Sequence, residues 1–439
     1  MVLSFTASNY KSFVQPFNFD MKPAPKQKDL EYSILKESVG GKTLQGLSTA
    51  VIYGPNASGK SNIIGAMHVM KMIVERGHIR NNREENNPDP ASSSLELIPN
   101  CFLKKAKPVE LAVEFTHTGR VFKYCMALDL GTFLATDHPR KIEEESLWMN
   151  GKQLFLRKPG NTIEINARAI LAYSKQSYTE SQVSLLLDLS KRNLDSQDLF
   201  LTNGFKTVFS PDLATSVMHW FEKKFMVYYR ADILESGKRV TDPNDENMYI
   251  NTQANAVAQA FGVNSGNLGF FAPKGETVAR LYSVFDDKKK IIPIEDFESF
   301  GTVRFMNLFP LLQKTLETGA TLVLDEFDAS LHPMAVMSII NVFHNDEINT
   351  NNAQLIFNTQ NPIFLNANLL RRDEIKFVER IEEIKESQHY SLADFGTSGA
   401  NAVRKGEDYL KNYFISKYGA ISDIDLTPLF KKKAEPQDG

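Results

Sequence analysis

Two cysteines in 439 residues, Cys101 and Cys125, are too few and too far apart for a disulfide framework or a cysteine metal site, and they suit a reducing compartment. An excess of one charge is missing as well. Fifty basic residues against 53 acidic ones leave a net charge of −3, which excludes a globally basic nucleic-acid binder and confines any such surface to local patches. No run approaches the roughly 18 apolar residues a membrane helix needs. Met1 to Lys11 lacks the charged and apolar succession of a secretory signal, so the expected location is cytoplasmic, with no membrane partner. A sustained heptad repeat is also absent, which argues against a long coiled-coil arm.

What is present divides the chain into four parts. Residues 1–160 read as the first part of a head, with alternating strands near Val2–Phe5 and Phe13–Phe19 and a β-rich run at Ser48–Tyr53. An antiparallel meander from Val109 to Arg157 follows, with turns at Thr118-Gly119 and Asn150-Gly151. Residues 161–292 read as a mainly helical insertion, including Val183–Leu189, Leu213–Phe225 and Ala254–Phe261. Residues 293–425 resume the head with buried strands at Thr321–Leu324 and Gln354–Asn358, and 426–439 is expected to be a disordered tail. Gly77–Ser94, rich in Asn, Arg, Glu, Pro and Ser, reads as an exposed loop.

Gly54-Pro55-Asn56-Ala57-Ser58-Gly59-Lys60-Ser61 fits G-x-x-x-x-G-K-S between a strand and a helix opening at Asn62. Its glycines turn backbone N–H groups toward phosphate oxygens. Lys60 can reach the β and γ phosphates, Ser61 can bind magnesium, and the helix start faces the anion. Asn56, Ala57, Ser58 and Asn62 complete the expected cradle, with ATP and Mg2+ as its ligands. At the end of Thr321–Leu324 stand Asp325 and Glu326, where ligands gather in open α/β sheets. Asp325 is expected at the metal, Glu326 as the group that activates or orients water.

Leu322 to Pro333, running through Asp325-Glu326-Phe327-Asp328-Ala329-Ser330, resembles the Walker B and D-loop segment of ABC-type ATPases. Glu298-Ser299-Phe300-Gly301-Thr302 is similar to their signature motif, with Phe300 in place of a glycine. The resemblance implies that Ser299, Gly301 and Thr302 contact nucleotide held by an opposing subunit, so that the site forms in a nucleotide-sandwich homodimer or higher homo-oligomer. It also implies a switch residue at Gln360, where such proteins usually carry histidine; glutamine can donate a hydrogen bond but cannot become cationic near neutral pH. Lys11 and Ser12 resemble an N-terminal segment that approaches base and ribose. The implied fold is α/β, an ABC-type ATPase head with a P-loop core, an antiparallel β subdomain and a mainly helical insertion.

With Leu369–Ile375, Tyr390–Phe395 and Tyr409–Ala420, the order of segments resembles stand-alone bacterial ABC-type, SMC-like head ATPases of the AAA family found in abortive-infection, restriction-linked and PARIS-type anti-phage loci. That likeness implies a separately encoded effector, a nuclease by the family pattern, and a phage protein or DNA as trigger. The alternatives are an ATP-held scaffold or sensor with little turnover and an SMC-like DNA repair ATPase.

Overall fold

The computed structural model describes residues 1–430 apart from 26, 28–29, 81–94, 134, 136–137, 175–177, 230–236, 251–254, 257, 260–266, 286–289, 397–401, 405 and 423–425. Most of the Gly77–Ser94 loop and the tail beyond Phe430 therefore lie outside the described residues; Thr427–Phe430 form one helical turn.

Two sheets organise the molecule. The first is antiparallel and seven-stranded, in the order Thr162–Ile165, Lys152–Lys158, Lys141–Met149, Arg120–Asp129, Val109–His117, Val2–Ser8, Phe17–Asp20. Its meander closes through Thr118-Gly119 and Asn150-Gly151, both pairs at positive φ, the backbone that two-residue hairpin turns require. The second sheet runs Phe225–Tyr228, Thr321–Leu324, Gln354–Asn358, Thr49–Tyr53, Ile375–Ile381, Glu386–Ser391 and is parallel except for its last strand. Thr321–Leu324, Gln354–Asn358 and Thr49–Tyr53 are buried at every position, as strands covered on both faces should be.

The helix Lys60–Arg76 lies against one face of the parallel sheet, toward the antiparallel one, which explains its many buried apolar residues, among them Ile63, Ile64, Met67, Met70 and Ile73. Helices Phe300–Thr318 and Pro333–His344 cover the other face with Phe305, Leu308, Leu312, Val336 and Ile340. The two sheets are tied by one buried side chain. Gln354 accepts from Val2 N (2.6 Å) and Thr321 Oγ1 (2.8 Å) and donates to Val2 O (3.1 Å) and Leu47 O (2.9 Å). All four amide bonding directions are used inside the core, where an unmet one is costly.

The fold is the expected α/β head, and the longest helix among the described residues has 19 residues, so no long coiled coil occurs in them. The insertion differs from its expected makeup. Helical segments run at Ala167–Leu171, Val183–Lys191, Leu201–Phe209, Pro211–His219 and Trp220–Lys224, whereas Lys238–Arg239, Asn247–Ile250, Asn267–Ala272, Val278–Phe285 and Lys290–Pro293 form a five-stranded antiparallel sheet. From Val278 to Ser283 the strand alternates inward Ala279, Leu281 and Ser283 with more exposed neighbours, a period of two that its short length hides beside the longer helical patterns. Half of Ala254–Phe261 lies outside the described residues, and Asn255, Ala256, Ala258 and Gln259 are helical.

Candidate functional site

The phosphate loop is shaped by backbone that side chains would block. A Cβ on Gly54 would stand 2.2 Å from Val378 O, and one on Gly59, at φ +110°, would meet Ser12 Oγ at 2.6 Å and Ser387 Oγ at 2.7 Å. Lys60 follows at the helix start, nearly buried, with its ammonium donating to Gly54 O (2.7 Å) and Pro55 O (3.0 Å). Burial lowers its pKa from the ordinary lysine value, while the Asp325 and Glu326 carboxylates oppose that shift. The cation is thus held over the loop by neutral carbonyls that a phosphate could replace.

Parallel pairing of Thr321–Leu324 with Gln354–Asn358 sets the acid pair beside this loop. Ser61 Oγ donates to Asp325 Oδ1 at 2.9 Å, and Asn358 Nδ2 donates both to Asp325 Oδ1 and to Ser61 Oγ. Asn358 Oδ1 in turn accepts from Glu326 N at 2.5 Å. Glu326 sits at φ +51°, in the left-handed region that L-residues seldom adopt. One strand end beyond, Thr359 Oγ1 donates to Asp328 Oδ2 at 2.6 Å; burial raises the pKa of Asp328, opposed by this bond and by the Arg304 charge.

Lys60, Ser61, Glu326, Asp328, Asn358 and Thr359 line a cleft of about 940 Å³ together with Asn56, Ala57, Gly59, Asn62, Ala329, Gln360, Asn361 and Pro362, and Asp325 lies just beneath, bonded to Ser61. Loop, acid pair and Gln360 therefore meet in one place. Lys11 and Ser12 do not line it. The Lys11 ammonium pairs with Glu96 at 2.5 Å and donates to Tyr229, and Ser12 Oγ accepts from Asn62 Nδ2 at 2.7 Å, bracing the loop helix from behind.

The signature-like turn also stands apart from the cleft lining. Ser299 caps the helix Phe300–Thr318, its Oγ accepting from Thr302 N at 3.2 Å, and it is exposed. Phe300 is 66% exposed, leaving an aromatic face toward solvent at the start of a helix. A Cβ on Gly301 would lie 2.5 Å from Ser330 O, so the turn is packed directly on the segment that follows the acid pair.

Sequence reasoning missed Asn358, Thr359 and Arg304. A polar residue closing the apolar run Leu355–Phe357 was the signal for Asn358, but its partners depend on strand register that no local pattern fixes.

The residues fit a magnesium-bound triphosphate. The glycine cradle leaves room only for backbone, and Ser61 Oγ with Asp325 Oδ1 forms the hydroxyl and carboxylate oxygen pair that a hard cation takes. Among the described residues no cluster of three His, Cys, Asp or Glu forms a separate metal site, and no helix is long and apolar enough to cross a membrane.

No curated protein matches this chain. A solved structure described as "Crystal structure of the SmcHead bound to the C-winged helix domain of ScpA" is 14% identical, covering 89% of this chain and 97% of that one with a TM-score of 0.36, too low to bear on function. Residues 164–366, short of half the chain, match the family described as "AAA domain, putative AbiEii toxin, Type IV TA system". That stretch carries the signature-like turn, the acid pair and Gln360, and begins downstream of the phosphate loop.

Proposed function

We propose that the chain binds Mg-ATP in the cleft and hydrolyses it when a second copy closes over the γ phosphate. The observation that carries this reading is the convergence of Lys60, Ser61, Glu326 and Gln360 on one cleft, with Asp325 bonded to Ser61 beneath it, while Ser299 and Phe300 stand exposed outside it. In this reading Lys60 exchanges its two carbonyl partners for phosphate oxygens. Ser61 and Asp325 hold magnesium, which supplies charge neutralisation on the β and γ phosphates. Glu326 takes a proton from, or orients, the water that attacks the γ phosphorus, and Gln360 donates a hydrogen bond to that phosphate.

The exposed Ser299, with the half-buried Gly301 and Thr302, completes the site from the opposing copy, offering a hydroxyl and the N–H groups of a helix start to the anion. Control of a separately encoded effector, a nuclease in the defence loci the sequence resembles, extends the reading; the toxin and toxin–antitoxin wording of the matched family supports a two-component setting. A phage protein or DNA would be the trigger. The alternative of an ATP-held scaffold with little turnover draws on Gln360, exposed at the cleft and unable to carry charge.

Glu326→Gln tests the assignment. Phosphate release should fall by on the order of 10²–10⁴-fold, with ATP still bound and the ATP-dependent oligomer longer lived by mass measurement. Turnover equal to wild type would remove Glu326 from the chemistry.

A further inference from the structure

Glu326 is held from both sides of its backbone by groups outside the strand that leads into it, and its carbonyl also accepts from Ala329 N at 3.2 Å in the following turn. Its N–H is fixed by Asn358 Oδ1, on the neighbouring strand. Its carbonyl accepts from Arg304 Nη2 at 2.6 Å, and Arg304 comes from the second turn of the helix that Ser299 caps. Arg304 is only 6% exposed, and its charge also acts on Asp328, which Thr359 Oγ1 binds next to Gln360. A buried arginine spent on a main-chain carbonyl is an expensive fastening, because its desolvation must be offset by what it holds in place.

What it holds is a residue at φ +51°, with Ser330 at φ +66° shortly after it. Such backbone costs on the order of 1–2 kcal/mol at each residue and persists where neighbours over-determine it. The Glu326 carboxylate direction follows from that φ. Gly301, pressed on Ser330 O, makes a second contact between the same helix and the same turn.

We propose that Arg304 is a positioning residue for hydrolysis: through the Glu326 carbonyl it fixes where the Glu326 carboxylate points, and so ties that group to the helix carrying Ser299. The proposal rests on the ATPase reading above. A displacement of about 1 Å in a reacting group can cost on the order of 10²-fold in rate, so the effect should appear in kcat. Nucleotide affinity should not change, since Arg304 does not line the cleft.

The test compares wild type, Arg304→Ala, Arg304→Lys and Glu326→Gln by steady-state phosphate release, equilibrium binding of a fluorescent ATP analogue, and melting temperature. Arg304→Ala should lose roughly 10- to 100-fold in kcat, with KM and analogue affinity near wild type. Arg304→Lys, keeping a cationic donor, should lose less. Millimolar guanidinium should raise the rate of Arg304→Ala and leave Glu326→Gln unmoved. If Arg304→Ala fails to fold, Arg304→Lys and its kcat carry the test alone. The proposal is overturned by unchanged kcat in both variants, or by kcat, affinity and melting temperature falling together, the mark of a purely structural arginine. Wild-type protein without turnover would instead sink the ATPase reading, so the two failures are distinguishable.

Discussion

The two parts of the candidate site are built in opposite ways. Around the phosphate loop and acid pair, Ser58, Lys60, Asp325, Asn358 and Thr359 are all buried, and Ser61, Asp325, Asn358 and Glu326 form a closed set of hydrogen bonds before any ligand arrives. Around the signature-like turn, Ser299 is exposed, Phe300 is 66% exposed and Met334, at the start of the helix after the acid pair, is 64% exposed. The first half is pre-organised and the second is presented. Pre-organisation lowers the cost of binding an anion, and exposed recognition groups have a use only when something docks on them. Damage to the first half should therefore show in the isolated protein, and damage to the second only once nucleotide is added.

The largest effect should come from Gly54→Ala. Its Cβ would stand 2.2 Å from the Val378 carbonyl, so the strand end must move or the loop must open. The expected loss is at least the ~1–3 kcal/mol of an overpacked site, read as a lower melting temperature without ligand and no detectable ATP binding. An unchanged melting temperature would mean that the loop is softer than its packing implies.

Gln354→Ala should come next. It removes a side chain that meets Val2, Leu47 and Thr321 and leaves buried backbone groups unpaired, at about 1–3 kcal/mol each. The fall in stability, measured by denaturant titration, should leave nucleotide affinity of the folded fraction intact, because Gln354 lies at the far end of its strand from the cleft.

A smaller effect concerns pH. Burial lowers the Lys60 pKa in the free protein, and phosphate oxygens in place of carbonyls would raise it again. Binding should then take up a proton as pH climbs through the lowered value, so affinity weakens there. Titration calorimetry in two alkaline buffers of different ionisation enthalpy would detect the proton, and Lys60→Arg should abolish it. The smallest effect is expected from Gln360→His. Turnover should rise a few-fold as pH falls through about 6.5, the ordinary histidine range, whereas wild type stays flat.

Much of this was legible in the sequence, and the reason is locality. Gly54 to Ser61 and the turns at Thr118-Gly119 and Asn150-Gly151 are fixed by residues adjacent in the chain, and so is the Ser299 cap. Glu326 was legible as a carboxylate ending a buried strand, but its left-handed backbone was not, since Asn358 and Arg304 reach it from other elements. Lys11 illustrates the reverse case. Its place in a motif-like segment suggested the nucleotide, yet Glu96 and Tyr229, distant in sequence, claim its ammonium. The sheet at 238–293 was hidden because its strands are short and unevenly spaced, so no period of two accumulates.

The central claim, that one copy finishes the other's site, is tested most directly by mixing two variants. Lys60→Ala lacks the phosphate-loop cation and Ser299→Arg blocks the exposed turn, so each alone should be inactive. Mixed in equal amounts they would form some pairs with one intact site, and phosphate release should return to on the order of a quarter of wild type by random pairing of two-fold dimers. No recovery on mixing, or full activity of Ser299→Arg by itself, would contradict a site shared between two copies.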